Sequence, residues 1–345
     1  MPGMRDVARA AGVSLSTVSL VLNHSNKFVS EDNRNKVLTA AEELGYKLPP
    51  KKKFSQKTIA VMLPVITSSF FSNVLNGIET AISPDKNLLL YYNSNYDFLK
   101  ERACIKILRK QSLTGIILNS VCPPEEEERY FLWLKTEFVD NGIPVVLLER
   151  KVEMDGFYCI YIDNFGSAYT ATNHLISKGH KKIAYIRGND KMLHSCERYE
   201  GYAKAMRDAG LELDEELIGQ GDFTPFSGYC AMKELLNIRN DFTALFSSND
   251  QMAIGAIKAI KSYGKSVPDD IAVVGFDNLS VSSLIEPALS TIHVPTLQLG
   301  RMAAKIVLNA AKGEECKRMN MLDTNLIVRR SSCEGAANEW DLLGW

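Results

Sequence analysis

Residues 4–46 read MRDVARAAGVSLSTVSLVLNHSNKFVSEDNRNKVLTAAEELGY, three short helical patterns in quick succession. Segments this short can hide their apolar residues only against one another, so they must form a small bundle. Val7, Ala8, Ala11, Val18, Val21 and Leu22 give the first two helices a shared apolar face, with a turn at Gly12-Val13. Ser14 is placed to cap the second helix, its hydroxyl accepting a free N–H of the first turn. Ser14, Leu15, Ser16 and Ser19 then point outward. In the third pattern Ser30 is the cap, Val37, Ala40, Ala41 and Leu44 recur at helical spacing, and Gly45 ends the helix. Three helices with an exposed polar N-terminus on the second describe a helix-turn-helix unit, whose second helix enters the major groove of DNA.

Periodicity alone fits any three-helix bundle equally well, and charge favours DNA. Residues 1–57 carry ten Lys and Arg against five Asp and Glu, a net +5; the whole chain is −1, which leaves −6 on residues 58–345. A basic head on an acidic body suits phosphate contact at one end only.

The segment resembles the DNA-binding domain of the lactose repressor (LacI/GalR) family. Its DVA–AGVS–TVS–VLN–VS–R–V–AAEELGY pattern covers some 40 positions. The resemblance implies a homodimer on a pseudo-palindromic, double-stranded operator, with Ser14, Leu15, Ser16, Thr17, Ser19, Leu20 and Asn23 on the DNA face. Two departures stand out. Leu20 replaces an Arg common in the family's TVSRVLN string, which removes a cation from the recognition helix. Between Gly45-Tyr46 and the first strand the family carries about five more residues, including an AR-x-L string that folds as a hinge helix and wedges a leucine into the minor groove. Here the segment is only KLPPKKKFSQK, in which Lys51, Lys52 and Lys53 are expected to track phosphates and Phe54 is the one candidate wedge.

A chain of 345 residues is expected to hold two or three domains. No apolar run reaches the ~18–20 residues of a membrane span. The N-terminus MPGMRDVARA lacks the apolar stretch of a signal peptide. Seven scattered cysteines without a CxxC argue for reduced thiols in a cytoplasm, and the family resemblance implies a bacterial one, with the protein at the nucleoid when bound to DNA.

After the linker, apolar runs alternate with amphipathic stretches. Strands at 58–63, 88–92, 115–118 and 143–148 are separated by helices near 70–83, 97–111 and 126–140. The alternation restarts with YCIYID (158–163), followed by strands at 182–187, 243–248 and 271–276 and helices near 166–178, 198–209, 225–237 and 250–263. This order predicts two lobes, each a parallel sheet covered on both faces, with a ligand cleft beyond the strand C-termini. SSFFSNVLNGIE, NHLISKGHKKIAYIRG, SSNDQMAIGAIKAI, VPDDIAVVGFDN and PALSTIHVPTLQLGRMAAKIVL extend the resemblance to about residue 330.

The expected fold is a small all-α helix-turn-helix domain followed by a two-lobed, periplasmic-binding-protein-like α/β core with Rossmann-like lobes. The expected boundaries are 1–47 for the head, 48–57 for the linker, 58–330 for the core and 331–345 for a tail. The first lobe takes about 58–162 and 293–322, the second about 163–292 and 323–330. The tail has no leucine heptads, so nothing points to a tetramer.

By resemblance, Arg198, Asn249 and Asp277 turn polar groups toward an effector and Phe70, Phe71 and Phe223 wall the cleft. Aromatic faces and directional hydrogen bonds suit a sugar or a nucleoside. The competing reading makes the phenylalanines core and Asp277 a helix cap; His194 is expected to be a solvated loop residue. EEEE (125–128) reads as the acidic first turn of a helix, and Trp133 as packed. The five histidines show no metal spacing, and there is no GxSxG, GxxxxGK[ST] or GxGxxG motif. No cofactor and no catalysis are expected. A solute-binding protein for transport would need a signal peptide and no basic head, so a ligand-responsive transcription factor, most readily a repressor, is the leading reading.

Overall fold

The structure is a computed structural model of the chain and describes residues 3–22, 29–46, 58–82 and 87–336. The chain divides into two units, Met1–Gln56 and Lys57–Trp345.

The head is built from α1 (Met4–Ala11), α2 (Leu15–Leu22) and α3 (Glu31–Glu43). The Gly3 N–H donates to Asp6 Oδ2 at 2.8 Å, and Gly12 ends α1 with φ 66°, which glycine adopts without steric cost. Ser14 Oγ accepts the Thr17 N–H at 3.1 Å and Ser30 Oγ that of Asn33 at 3.4 Å, so both caps form. Val7, Ala11, Val18, Val21, Leu22, Val37, Ala40 and Ala41 make one core. Leu44 does not join it. It lies just past the last turn of α3 and stays 37% exposed, with Tyr46 packing against the core instead.

The second unit holds two six-stranded sheets. The first contains β1 (Thr58–Leu63), β2 (Leu88–Asn93), β3 (Gly115–Leu118), β4 (Val145–Leu148), β5 (Phe157–Ile162) and β11 (Met319–Leu322), in the order β11-β5-β4-β3-β1-β2, all parallel. The second contains β6 (Ile183–Arg187), β7 (Ile218–Gln220), β8 (Ala244–Ser247), β9 (Ala272–Asp277), β10 (Ser290–His293) and β12 (Asn325–Ile327), in the order β12-β10-β9-β8-β6-β7. Only β12 runs antiparallel to its neighbour. The alternation of strands and helices put YCIYID (158–163) at the head of a second series, whereas the expected lobe boundary at 162 kept it with the first; in the structure it lies in the first sheet, between β4 and β11.

The helices are α4 (Ser69–Ile82), α5 (Phe98–Leu108), α6 (Glu127–Glu137), α7 (Asn164–Ser177), α8 (Leu193–Asp208), α9 (Pro225–Ile238), α10 (Asp250–Ser262) and α11 (Thr296–Ala310). Glu127 and Glu128 fill the first turn of α6, after a 3-10 turn at 124–126. Half-buried Trp133 packs beside Tyr130, ring centroids 5.7 Å apart. The α9–α10 crossing is close: a Cβ on Gly228 would lie 2.2 Å from the Met252 carbonyl oxygen, so only glycine allows it.

The chain passes between the sheets three times, after β5, after His293 and after β11. α7 packs on β8, β9, β10 and β12, whereas α11 returns to α4, β3 and β4. Both sheets share the doubly wound order, with switch points at β1/β3 and β6/β8, where such folds bind ligands beyond the strand C-termini.

Candidate effector cleft and DNA-reading helix

A cavity of about 410 Å³ lies between the strand C-termini of the two sheets. Its walls come from the segments after β1 (Phe70, Phe71), β2 (Tyr96), β3 (Asn119) and β4 (Glu149). Facing them are residues that follow β6 (His194, Arg198), β7 (Phe223), β8 (Asn249) and end β9 (Asp277). The architecture explains the composition. A parallel strand buried on both faces is apolar along its length, so polar groups enter only where it ends.

Arg198 organises the polar side. Its Nε donates to Asn164 Oδ1 at 3.0 Å, and its Nη1 donates to the Ser248 carbonyl at 2.7 Å and to Asp277 Oδ1 at 3.3 Å. The guanidinium stacks 3.6 Å from the Phe276 ring centroid. Among the described residues no partner takes Nη2, which is not enclosed and is open to the cleft. The sequence put Arg198 at the start of a helix, but α8 begins at Leu193. Its N-cap, Met192, makes no side-chain cap bond, so no capping residue marked the true start.

Asp277 ends β9 at φ 107° and pairs with Arg198 rather than capping a helix. Burial raises its pKa well above the usual carboxylate value, against the pull of Arg198; Asp250 and Glu149 add to the rise. Glu149 follows β4 at φ 53° and accepts a hydrogen bond from Asn119 Nδ2 at 3.0 Å on Oε2. Burial raises its pKa too, opposed by Arg198 and that bond.

Asn249 lines the cleft with its amide already engaged. Oδ1 accepts the Met252 N–H at 3.0 Å as the cap of α10, and Nδ2 donates to the Phe223 carbonyl at 3.1 Å. It therefore positions the Phe223 loop. Phe223 has φ 70° and lies so close over Gly188 that a Cβ there would meet its Cζ at 2.1 Å. Phe70 and Phe71, in the first turn of α4, meet edge-on with centroids 5.0 Å apart, 6% and 7% exposed. Both are core and wall at once.

His194 corrects the expectation of a solvated loop residue. It is the second residue of α8, half-buried on the cleft wall, its ring centroid 5.3 Å from that of Phe223. Burial, then Arg198 and Arg150, push its pKa down to about 3, so the imidazole is neutral at physiological pH. The sequence reading passed over Glu149, Asn119 and Tyr96. Each lies just beyond a predicted strand, the same position that singled out Asp277.

On the head, Ser14, Leu15 and Ser16 are exposed, Leu15 by 44%; Thr17, Ser19 and Leu20 are half-buried. Ser14 Oγ also lies 2.7 Å from Ser16 Oγ and 2.8 Å from Thr17 Oγ1. Asn23, Lys51, Lys52, Lys53 and Phe54 lie outside the described residues. Among the described residues no group of His, Cys, Asp and Glu is arranged to hold a metal ion, and no helix is long and apolar enough to cross a membrane.

The family model described as bacterial regulatory proteins, lacI family, matches residues 3–48, and that of a periplasmic binding protein-like domain matches residues 172–332. The HTH-type transcriptional repressor CytR of Escherichia coli (strain K12) is 33% identical over 338 residues, 95% of this chain and 96% of that protein. The chain belongs to the lacI family of bacterial regulatory proteins. The HTH-type transcriptional regulator RegA of Clostridium saccharobutylicum is 34% identical over 336 residues, covering 95% of this chain and 98% of its own. Among solved structures, a transcriptional regulator CelR–cellobiose complex matches with TM-score 0.71 and 31% identity, over 96% of this chain and 100% of that one. The lac repressor dimer bound to operator and the anti-inducer ONPF matches with TM-score 0.73 and 25% identity, over 96% and 99%. This lacI-family chain is a DNA-binding transcriptional regulator with a core that binds a small-molecule effector, and it is not an enzyme.

Proposed function

We propose that the chain is a repressor that grips a pseudo-palindromic operator as a homodimer and releases or tightens that grip when a sugar or nucleoside fills the cleft. It acts in the cytoplasm, at the nucleoid. The observation that carries this reading is the pairing, in one cavity, of aromatic walls (Phe70, Phe71, Phe223) with the Arg198–Asp277 pair. Aromatic faces stack on the C–H or π surface of a ring, while guanidinium and carboxylate hold its hydroxyls in fixed directions. The solved CelR complex holds cellobiose, a ligand of this chemistry. In the head, Leu15 and Ser16 are the exposed side chains at the start of the recognition helix, so they are the proposed base readers.

Closing the cleft shifts the first lobes of two protomers and so the spacing of two heads. A coupling of ~1–3 kcal/mol changes operator affinity ~5–150-fold. The test begins with a thermal-shift screen of sugars and nucleosides, followed by operator titrations with and without each hit. Arg198→Ala should still bind operator yet lose the response, because the Asp277 carboxylate and the ligand are both left unpaired, at a cost of ~1–3 kcal/mol. Unaltered ligand affinity in Arg198→Ala, measured by calorimetry, would sink the assignment of this cleft.

A further inference from the structure

The cleft is unbalanced in charge and in hydrogen-bonding sense. Three carboxylates line it, Glu149 and Asp222 from opposite lobes and Asp277 beside Arg198, against that single guanidinium. His194 adds no charge at physiological pH. Arg198 is itself largely answered, by Asp277 and by the Ser248 carbonyl.

The remaining open valences decide what can bind. Glu149 Oε2 takes the Asn119 amide, while Oε1 has no partner among the described residues and is not enclosed. Asp277 Oδ1 takes Arg198, and Oδ2 is likewise without a partner. An ionised carboxylate only accepts. From its charged side chains the cleft thus offers a ligand two open acceptor oxygens from opposite lobes and one open donor, Arg198 Nη2, beside neutral groups such as Tyr96, Asn95 and Thr224 that can donate or accept. Around these sit Tyr96, Phe70, Phe71 and Phe223, which exclude water and strengthen the repulsion of a second anion.

Resting on the sugar-or-nucleoside reading, we propose that the effector is a ring bearing hydroxyl or protonated-amine donors and no negative charge, and that Glu149 sets this sign. Phosphate esters and carboxylated forms are rejected because their charge meets three carboxylates and only one guanidinium, which is already paired with Asp277. Amino-substituted rings are favoured over their parents because an ammonium bridges Glu149 and Asp277.

The experiment uses the full chain and matched probes: hexoses, their 2-amino-2-deoxy forms and their 6-phosphates, with nucleosides beside their 5′-monophosphates. Affinities are read by calorimetry at pH 7.5. Each phosphate should bind at least about tenfold more weakly than its parent, a loss of about 1.4 kcal/mol. Any amino form that binds should bind more tightly than its neutral parent. Glu149→Gln keeps the shape and an oxygen for Asn119, and should narrow the parent-to-phosphate ratio by about tenfold. A matching melting curve for the variant shows that its fold is kept. A phosphate that binds as tightly as its parent, or a ratio unmoved by Glu149→Gln, overturns the charge assignment and leaves the ring-ligand reading standing. Silence from every probe of either charge overturns that reading, and this inference with it.

Discussion

The hydroxyl of Ser14 has one donor and two acceptor sites. Thr17 N–H, Thr17 Oγ1 and Ser16 Oγ already lie within 3.1 Å of it. These contacts tie it to the start of the helix. Ser14→Ala should lower the head's stability by about 1 kcal/mol in chemical denaturation and leave half-site preference where it was. Exchanging Leu15 and Ser16 together should do the opposite: a binding-selection assay should return a different half-site with stability within about 0.5 kcal/mol. An unchanged half-site would remove both residues from base readout. The site was legible in the sequence to the extent that strand ends are legible. Asp277 and Asn249 follow apolar runs whose ends are easy to see. Glu149 follows one too, but a single glutamate beside Arg150 and Lys151 looks like ordinary surface charge. Its left-handed backbone and its bond to Asn119 come from loops brought together by the sheet, which spacing along the chain does not encode. The position of His194 was missed for a local reason, the uncapped start of α8.

Elements with a strong period were visible, and those without one were not. β1, β3, β4, β8 and β9 are apolar but for single polar residues at the ends of β1, β8 and β9, and the helices between them repeat at 3.6. β7 and β12 are three residues long, too short to carry any pattern. β10 joins the second sheet through partners distant in sequence, above all Asp250. That carboxylate is fully buried at the start of α10, accepting from Thr291 Oγ1 at 2.6 Å, Ser282 Oγ at 2.6 Å and the Leu279 N–H at 2.8 Å. It ties α10 to β10 and to the loop after β9, behind Asp277. Burial raises its pKa from 3.8 to about 6, against the pull of those three bonds. Between about pH 6 and pH 4 the folded chain keeps this proton and the unfolded chain gives it up. The contribution of this group to stability is therefore greatest below the unfolded value and is lost as pH rises through about 6. Asp250→Asn cannot titrate. The stability of the native chain minus that of the variant should rise as pH falls from 6.5 to 4, by on the order of 2–3 kcal/mol. Paired urea titrations at several pH values measure it, and a flat difference would mean that Asp250 titrates in the fold as it does in solution.

At the scale of the whole molecule, the segment between head and core is the covalent link from the effector core to the DNA-reading head. Residues 47–57 lie outside the described residues. A hinge helix that drives a leucine into the minor groove unstacks the central step and bends the duplex, which makes the central base pairs matter. KLPPKKKFSQK has no AR-x-L string. Pro49 and Pro50 disfavour a helix that begins before them, and Lys51, Lys52 and Lys53 repel one another along any helix they would share. The same three lysines suit phosphates, whose contacts add affinity without sequence preference. The expected outcome is little central bend, weak preference at the operator's centre, and a salt dependence whose slope falls by about two units in Lys52→Ala, one for each head of the dimer. The rival geometry is a single helical turn over 51–55 with Phe54 as the wedge. Fluorescence energy transfer across an end-labelled operator separates the two, with Phe54→Ala as the control. A strong bend that vanishes in Phe54→Ala would establish a shortened hinge with an aromatic wedge. A small bend insensitive to Phe54→Ala leaves the lysines as the link, and effector control then acts through the spacing of the two heads without a kink between them.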